Sequence, residues 1–290
     1  MVALALSILS STMIFVVFKL FSRFKVNTMQ AIVYNYVTAC FCGIIFQKNT
    51  IDISVIPEYA WFPFALGLGV LFITVFNLMA LTTQRSGLSV VSVATKMSVV
   101  IPIIFGLVYY KESLGIFKII GIFLALIAVY LASIKTSDGL KIKPSNIIFP
   151  ILVFLGSGII DTTLKYLEGE FIAENDIPIF SATIYAMAAT IGFFILIFQA
   201  SKGKFQFQIK NVIGGLALGI PNYFSVYFLV QTLRSGILDS SGVFTINNVA
   251  IVMVSTVLGI LLFKEKLLTK NWIGIGLAIL GIILISFDKW

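Results

Sequence analysis

LSVVSVATKMSVVIPIIFGLVYY, residues 88–110, is a mostly aliphatic run long enough to cross the hydrocarbon of a bilayer as one helix, with Lys96 well inside it. A lysine at that depth costs about 2.5–3.5 kcal/mol on insertion scales, so it is expected to face protein or water rather than lipid. Ser89, Ser92 and Lys96 stand at i, i+3 and i+7, which places them on one helix face. The stretch therefore predicts a membrane crossing whose polar face turns toward something polar elsewhere in the chain.

The surroundings of this stretch have the same character. Of 290 residues, 59% are hydrophobic and 11% charged, where a soluble domain carries about 25% charged residues. The mean hydropathy is +1.08. Ten runs fall at about residues 2–21, 29–46, 60–82, 88–110, 114–133, 147–167, 178–199, 211–233, 238–263 and 269–287. Strand-like alternation is missing, and helices satisfy their own backbone in lipid, so all ten are expected to be transmembrane helices. The first run lacks the basic flank of a signal peptide and is expected to be a retained span. The connections are too short for a soluble domain or a nucleotide-binding module. A net charge of +8 would suggest nucleic acid in a soluble protein. Here the basic residues sit mostly at span ends, where topology and anionic lipid account for them.

The chain also repeats itself. Arg85-Ser86-Gly87 recurs as Arg234-Ser235-Gly236, and KESLGIFKIIG from Lys111 runs in step with KEKLLTKNWIG from Lys264. Lys19 matches Lys165, and Leu66–Val70 resembles Leu216–Ile220. Matches in one consistent order point to two copies of a five-helix unit: residues 1–134, a connecting loop 135–146, and residues 147–290. Five is odd, so the second copy must be inverted, an arrangement that places a transporter's site near mid-membrane between the halves. Gly121, Ala125 and Ala128 correspond to Gly274, Ala278 and Gly281, small-residue stripes expected to be packing faces.

Ten short spans in two halves, the KE turn opening the last helix of each half, and the closing small-residue helices resemble the drug/metabolite transporter superfamily, EamA type. The resemblance covers essentially the whole chain. It implies an all-α integral membrane protein of the plasma (bacterial inner) membrane that carries or exports small metabolites by alternating access, without ATP hydrolysis. It also implies cytoplasmic termini. The loop charges disagree: Arg23, Lys25, Arg85, Lys135, Lys141, Lys143, Lys202, Lys204 and Lys210 lie opposite the termini. The positive-inside rule would put the termini outside, so the residues leave their side open.

Lys96 leads the candidate binding residues, as a cation for a substrate carboxylate or phosphate, with Ser92 beside it. The repeat offset points to Thr245, Asn247 and Asn248 in the second half, and Ser241, Thr245 and Asn248 share a face at i, i+4 and i+7. Two polar faces at matched depth suit a cavity on a pseudo-twofold axis. Asp161 stands one turn before Lys165. It reads either as a local i, i+4 ion pair or as the counter-ion of Lys96 and a proton site. Its first-half equivalent is Phe15, so this carboxylate breaks the symmetry. Pro221-Asn222-Tyr223 interrupts the eighth run, and interrupted spans mark transporter sites. Pro102 reads as a kink. Asn77, Tyr34, Asn35 and Thr38 are further cavity candidates. Glu112 and Glu265 read either as meeting the positive ends of the helices they open or, with Lys111 and Lys264, as gating salt bridges.

With no histidine, a Ser/His/Asp triad and imidazole metal ligands are excluded. Cys40 and Cys42, two apart on a helix, point apart and read as apolar fillers. No G-x-x-x-x-G-K-[ST] loop occurs, and no metal or cofactor is expected. The sequence supports a secondary transporter, acting as monomer or homodimer, of a small anionic or zwitterionic molecule such as an amino acid, with proton coupling open. The rival readings are an intramembrane lipid-modifying enzyme, which would need convergent acid/base residues near one interface, and a non-transporting scaffold.

Overall fold

The computed structural model describes residues 1–47, 53–86, 88–112, 115–133, 146–203, 205–263 and 268–287. Its α-helices are α1 (Val2–Arg23), α2 (Thr28–Ile45), α3 (Phe62–Ser86), α4 (Leu88–Met97), α5 (Val100–Tyr109), α6 (Ile116–Ser133), α7 (Ile148–Glu170), α8 (Ile177–Ser201), α9 (Ile209–Arg234), α10 (Ser240–Phe263) and α11 (Thr269–Phe287). Among the described residues seven helices are long and apolar enough to cross a membrane. Shorter apolar helical stretches at Val93–Tyr109, Ile116–Leu131 and Thr269–Ile285 supply the rest of the ten crossings. Residues 135–145 of the predicted connecting loop lie outside the described residues.

Two expectations change in detail. The fourth run is two helices rather than one, broken at Ser98-Val99. Pro102 has no N–H to give the Ser98 carbonyl, which instead accepts from Ile101 at 2.9 Å, one residue short of α-helical spacing. Ser98 Oγ closes back on the Thr95 carbonyl at 2.7 Å. The break falls just after Lys96. Conversely, Pro221 does not interrupt α9, which runs unbroken from Ile209 to Arg234. Neighbouring helices hold that span straight enough to tolerate the lost backbone bond.

The packing shows the duplication directly. Exchanging α1, α2, α3, α4/α5 and α6 for α7, α8, α9, α10 and α11 converts each main interface into another. Helix α2 packs on α9 as α8 does on α3; α1 packs on α9 as α7 does on α3; α1 meets α10 as α7 meets α4. The pairs α2–α8 and α6–α11 map onto themselves. Each half therefore buries its faces mainly against the other half. Close approach of α6 and α11 depends on two glycines that face each other. A Cβ on Gly121 would lie 2.8 Å from the Gly281 carbonyl oxygen, and one on Gly281 would lie 2.9 Å from that of Gly121. The small-residue stripes are packing faces, as their spacing predicts.

An even number of crossings leaves both chain ends on one side of the bundle. The C-terminal ends of α5, α7 and α9 and the N-terminal ends of α3, α6, α8 and α10 share that side, called the terminal side below.

Candidate functional site

The wall of a cavity of about 170 Å³ is drawn from α1, α3, α4, α7, α9 and α10 of both halves. It has room for roughly five or six waters at about 30 Å³ each. Its lining follows the repeat. Ser11, Ile14 and Phe15 of α1 are matched 146 positions later by Ser157, Ile160 and Asp161 of α7. Val75, Phe76 and Met79 of α3 are matched 150 positions later by Ser225, Val226 and Leu229 of α9. Thr95 and Lys96 of α4 are matched by Asn247 and Asn248 of α10. The cavity lies on the pseudo-twofold axis.

Lys96 is 8% exposed, and its ammonium donates to Asn248 Oδ1 at 3.0 Å, a partner 152 residues away and its own repeat equivalent. The Phe15 ring centroid lies 5.4 Å from the same nitrogen. A hydrogen bond from a charged donor contributes about 1.5–3 kcal/mol and a cation–π contact about 0.5–1 kcal/mol. Together they offset most of the roughly 2.5–3.5 kcal/mol that a mid-membrane lysine costs. Asp161 lines the same cavity. Among the described residues no ion pair within 4.0 Å joins the two. One positive and one negative charge thus face a shared space without closing on each other, between walls that are otherwise largely Phe, Val, Ile, Leu and Met.

Asp161 does not form the local pair with Lys165 that their spacing allows. Lys165 turns toward the terminal side, bonding Glu168 at 3.0 Å with its ammonium 5.1 Å from the Tyr110 ring centroid. That lysine lies outside the cavity lining. Asn247 lines the cavity and accepts from Ser7 Oγ at 3.2 Å, while Ser7 also reaches the Ser225 carbonyl at 3.1 Å.

Other candidates sit behind the wall. Asn222 bonds Asn35 Oδ1 at 3.1 Å, and its carbonyl accepts from Tyr185 Oη at 3.1 Å and Ser225 Oγ at 2.8 Å, tying α2, α8 and α9 together. Tyr223 is fully buried, stacked on Phe46 and Tyr227. Thr245 and Asn77 donate to their own helices, to the Ser241 and Ile73 carbonyls at 2.6 and 2.7 Å. The side chains of Ser89 and Ser92 lie outside the described residues.

Sequence reasoning passed over Ser11, Ser157 and the apolar wall of Phe72, Phe76 and Phe244, since residues of this kind are everywhere in such a chain. The 146-residue spacing of Lys19 and Lys165, applied two turns upstream, finds the Ser11/Ser157 pair. Glu112, singled out for the start of its own helix, instead accepts from the first residues of α10, in the other half.

A duplicated helical bundle with a charged cavity between its two halves is the architecture of secondary membrane transporters. The chain matches the EamA-like transporter family over residues 1–134 and again over 143–287, and it belongs to that family. It is therefore a multi-pass membrane transporter of the drug/metabolite type. It is 28% identical over 295 residues to an uncharacterized protein of Haemophilus influenzae, covering 99% of this chain and 98% of that one. A solved crystal structure at 12% identity matches with a TM-score of 0.78 over 99% of this chain and 96% of the other, which shows the shared fold.

Proposed function

We propose that this protein exports a small zwitterionic or anionic metabolite, an amino acid first among candidates, by alternating access through the cavity between its halves. One observation carries the reading: Lys96 and Asp161 present opposite charges to one mostly apolar space without neutralising each other directly. In this reading Lys96 binds the substrate carboxylate, handed over from Asn248. Asp161 binds the ammonium, or carries a proton when the cavity is empty. Asn247 and Asn248 complete the polar wall, and the Phe and aliphatic residues exclude water, which strengthens every charged contact inside. The inverted repeat supplies the two-sided access that such a cycle needs.

The test is counterflow of radiolabelled amino acids in proteoliposomes, with Lys96→Ala alongside. Candidates come from a growth screen of overproducing cells against toxic amino acids and their analogues. Flux that the substitution abolishes supports the assignment. Undiminished flux in Lys96→Ala removes this lysine from the mechanism. No flux of any amino acid in the intact protein redirects the search to other small anions.

A further inference from the structure

Where α10 begins, its first backbone N–H groups would have no partner within the helix. A carboxylate from the other half fills that place. Glu112 Oε1 accepts from Ser240 N at 3.0 Å and from the Ser240 hydroxyl, while Oε2 accepts from Ser241 N at 3.3 Å and Ser241 Oγ at 2.7 Å. Lys118 of α6, 3% exposed, bonds Asp239 Oδ2 at 2.8 Å and approaches Glu112 at 4.0 Å. Lys111, just before Glu112, is held in the left-handed region at φ 51°, where non-glycine residues are uncommon. That conformation ends α5 sharply and is kept at a conformational cost. A Cβ at Gly106 would fall 3.0 Å from Ser240 Oγ and 3.1 Å from Glu112 Cδ, so α5 presses directly against this contact.

All of these groups lie on the terminal side, and all join the first half to the start of one second-half helix. That helix also carries Asn248, seven residues beyond Ser241, or about 10 Å along the axis at 1.5 Å per residue. An opening of the cavity toward the terminal side by movement of one half against the other must part α5/α6 from α10. We propose that Glu112 is a releasable latch between the halves: bound to Ser240 and Ser241 it seals the terminal side, and the cavity opens there only when the carboxylate lets go. This rests on the alternating-access reading above. The contact suits such a role, because its bonds join polar groups at the end of a span, where water can replace each of them once the halves separate.

The test needs no substrate. Cys40 and Cys42 are replaced by alanine, and the cavity residue Ser11→Cys reports access through labelling by a membrane-impermeant maleimide added to either side of membrane vesicles. A Gly106→Cys/Ser240→Cys pair then locks the latch, since a Cβ at Gly106 would lie 3.0 Å from Ser240 Oγ, the place a cysteine sulfur would take, within the reach of a disulfide. Oxidation is expected to lower terminal-side labelling at position 11, read by mass spectrometry of its peptide, about tenfold relative to the same protein after reduction, with opposite-side labelling retained. Glu112→Gln, whose amide NH2 sets a donor against one backbone N–H of α10, is expected to raise terminal-side labelling several-fold. Equal terminal-side labelling in locked and reduced protein overturns the latch. So does its absence in both, with opposite-side labelling intact, and either result leaves the transporter reading standing. Labelling from neither side in any variant overturns alternating access itself, and the latch with it.

Discussion

Replacing Lys96 with methionine separates a binding role from a structural one, because the two predict opposite balances of stability and transport. The substitution keeps most of the side-chain stem, removes the charge, and leaves Asn248 Oδ1 without its donor at 3.0 Å. Relief from carrying an ammonium at mid-membrane returns about 2.5–3.5 kcal/mol. Loss of its charged hydrogen bond and cation–π contact removes about 2–4 kcal/mol. The net effect on stability is expected to lie within about 1–2 kcal/mol of zero, a small change in the thermal midpoint in detergent. Substrate binding has no such compensation. A charged hydrogen bond to a carboxylate contributes about 1.5–3 kcal/mol, and 1.4 kcal/mol is tenfold, so apparent affinity is expected to fall about 10- to 150-fold. Proteoliposome flux over a range of substrate concentrations measures this, with Lys96→Arg retaining part of the affinity. A variant that transports normally refutes the assignment. A variant that loses several kcal/mol of stability in step with flux refutes it too, since the lysine would then be holding the bundle together.

Asp161→Asn should abolish accumulation driven by a pH gradient while leaving substrate exchange measurable; gradient-driven uptake that survives the change excludes this carboxylate as the proton carrier. Asn222→Ala removes the bond to Asn35 behind the cavity wall and should cost about 1–3 kcal/mol in detergent unfolding with substrate preference unchanged. A shift in preference would place Asn222 in the binding site. Gly121→Leu forces a side chain where even a Cβ would lie 2.8 Å from the Gly281 carbonyl. It should separate α6 from α11 and lower stability by about 1–3 kcal/mol or more, read from thermal aggregation or yield of folded protein. An unchanged thermal midpoint would contradict the observed packing.

Span number, helical class and duplication were legible in the residues alone, because lipid leaves the backbone few choices and a repeated chain carries its own internal comparison. The same comparison pointed from Lys96 to the window that contains Asn248, since inverted copies bring equivalent positions together on their shared axis. What followed from side-chain direction was not legible. Asp161 and Lys165 have ideal spacing for a local pair, yet Lys165 is drawn to Glu168 while Asp161 turns to the cavity. Asn222 and Tyr223 follow a proline that looks like an interruption, but packing keeps α9 continuous and sets both behind the wall. Pro102 reads as a kink, and only the three-dimensional arrangement converts it into a break just beyond Lys96. Glu112 has a helix of its own to serve, and spacing along one chain could not reveal that its carboxylate reaches α10 across 128 residues. The sequence determined what lipid and duplication demand of every residue in common; the tertiary structure decided which partner each polar group meets, because that depends on how two halves dock rather than on any segment by itself.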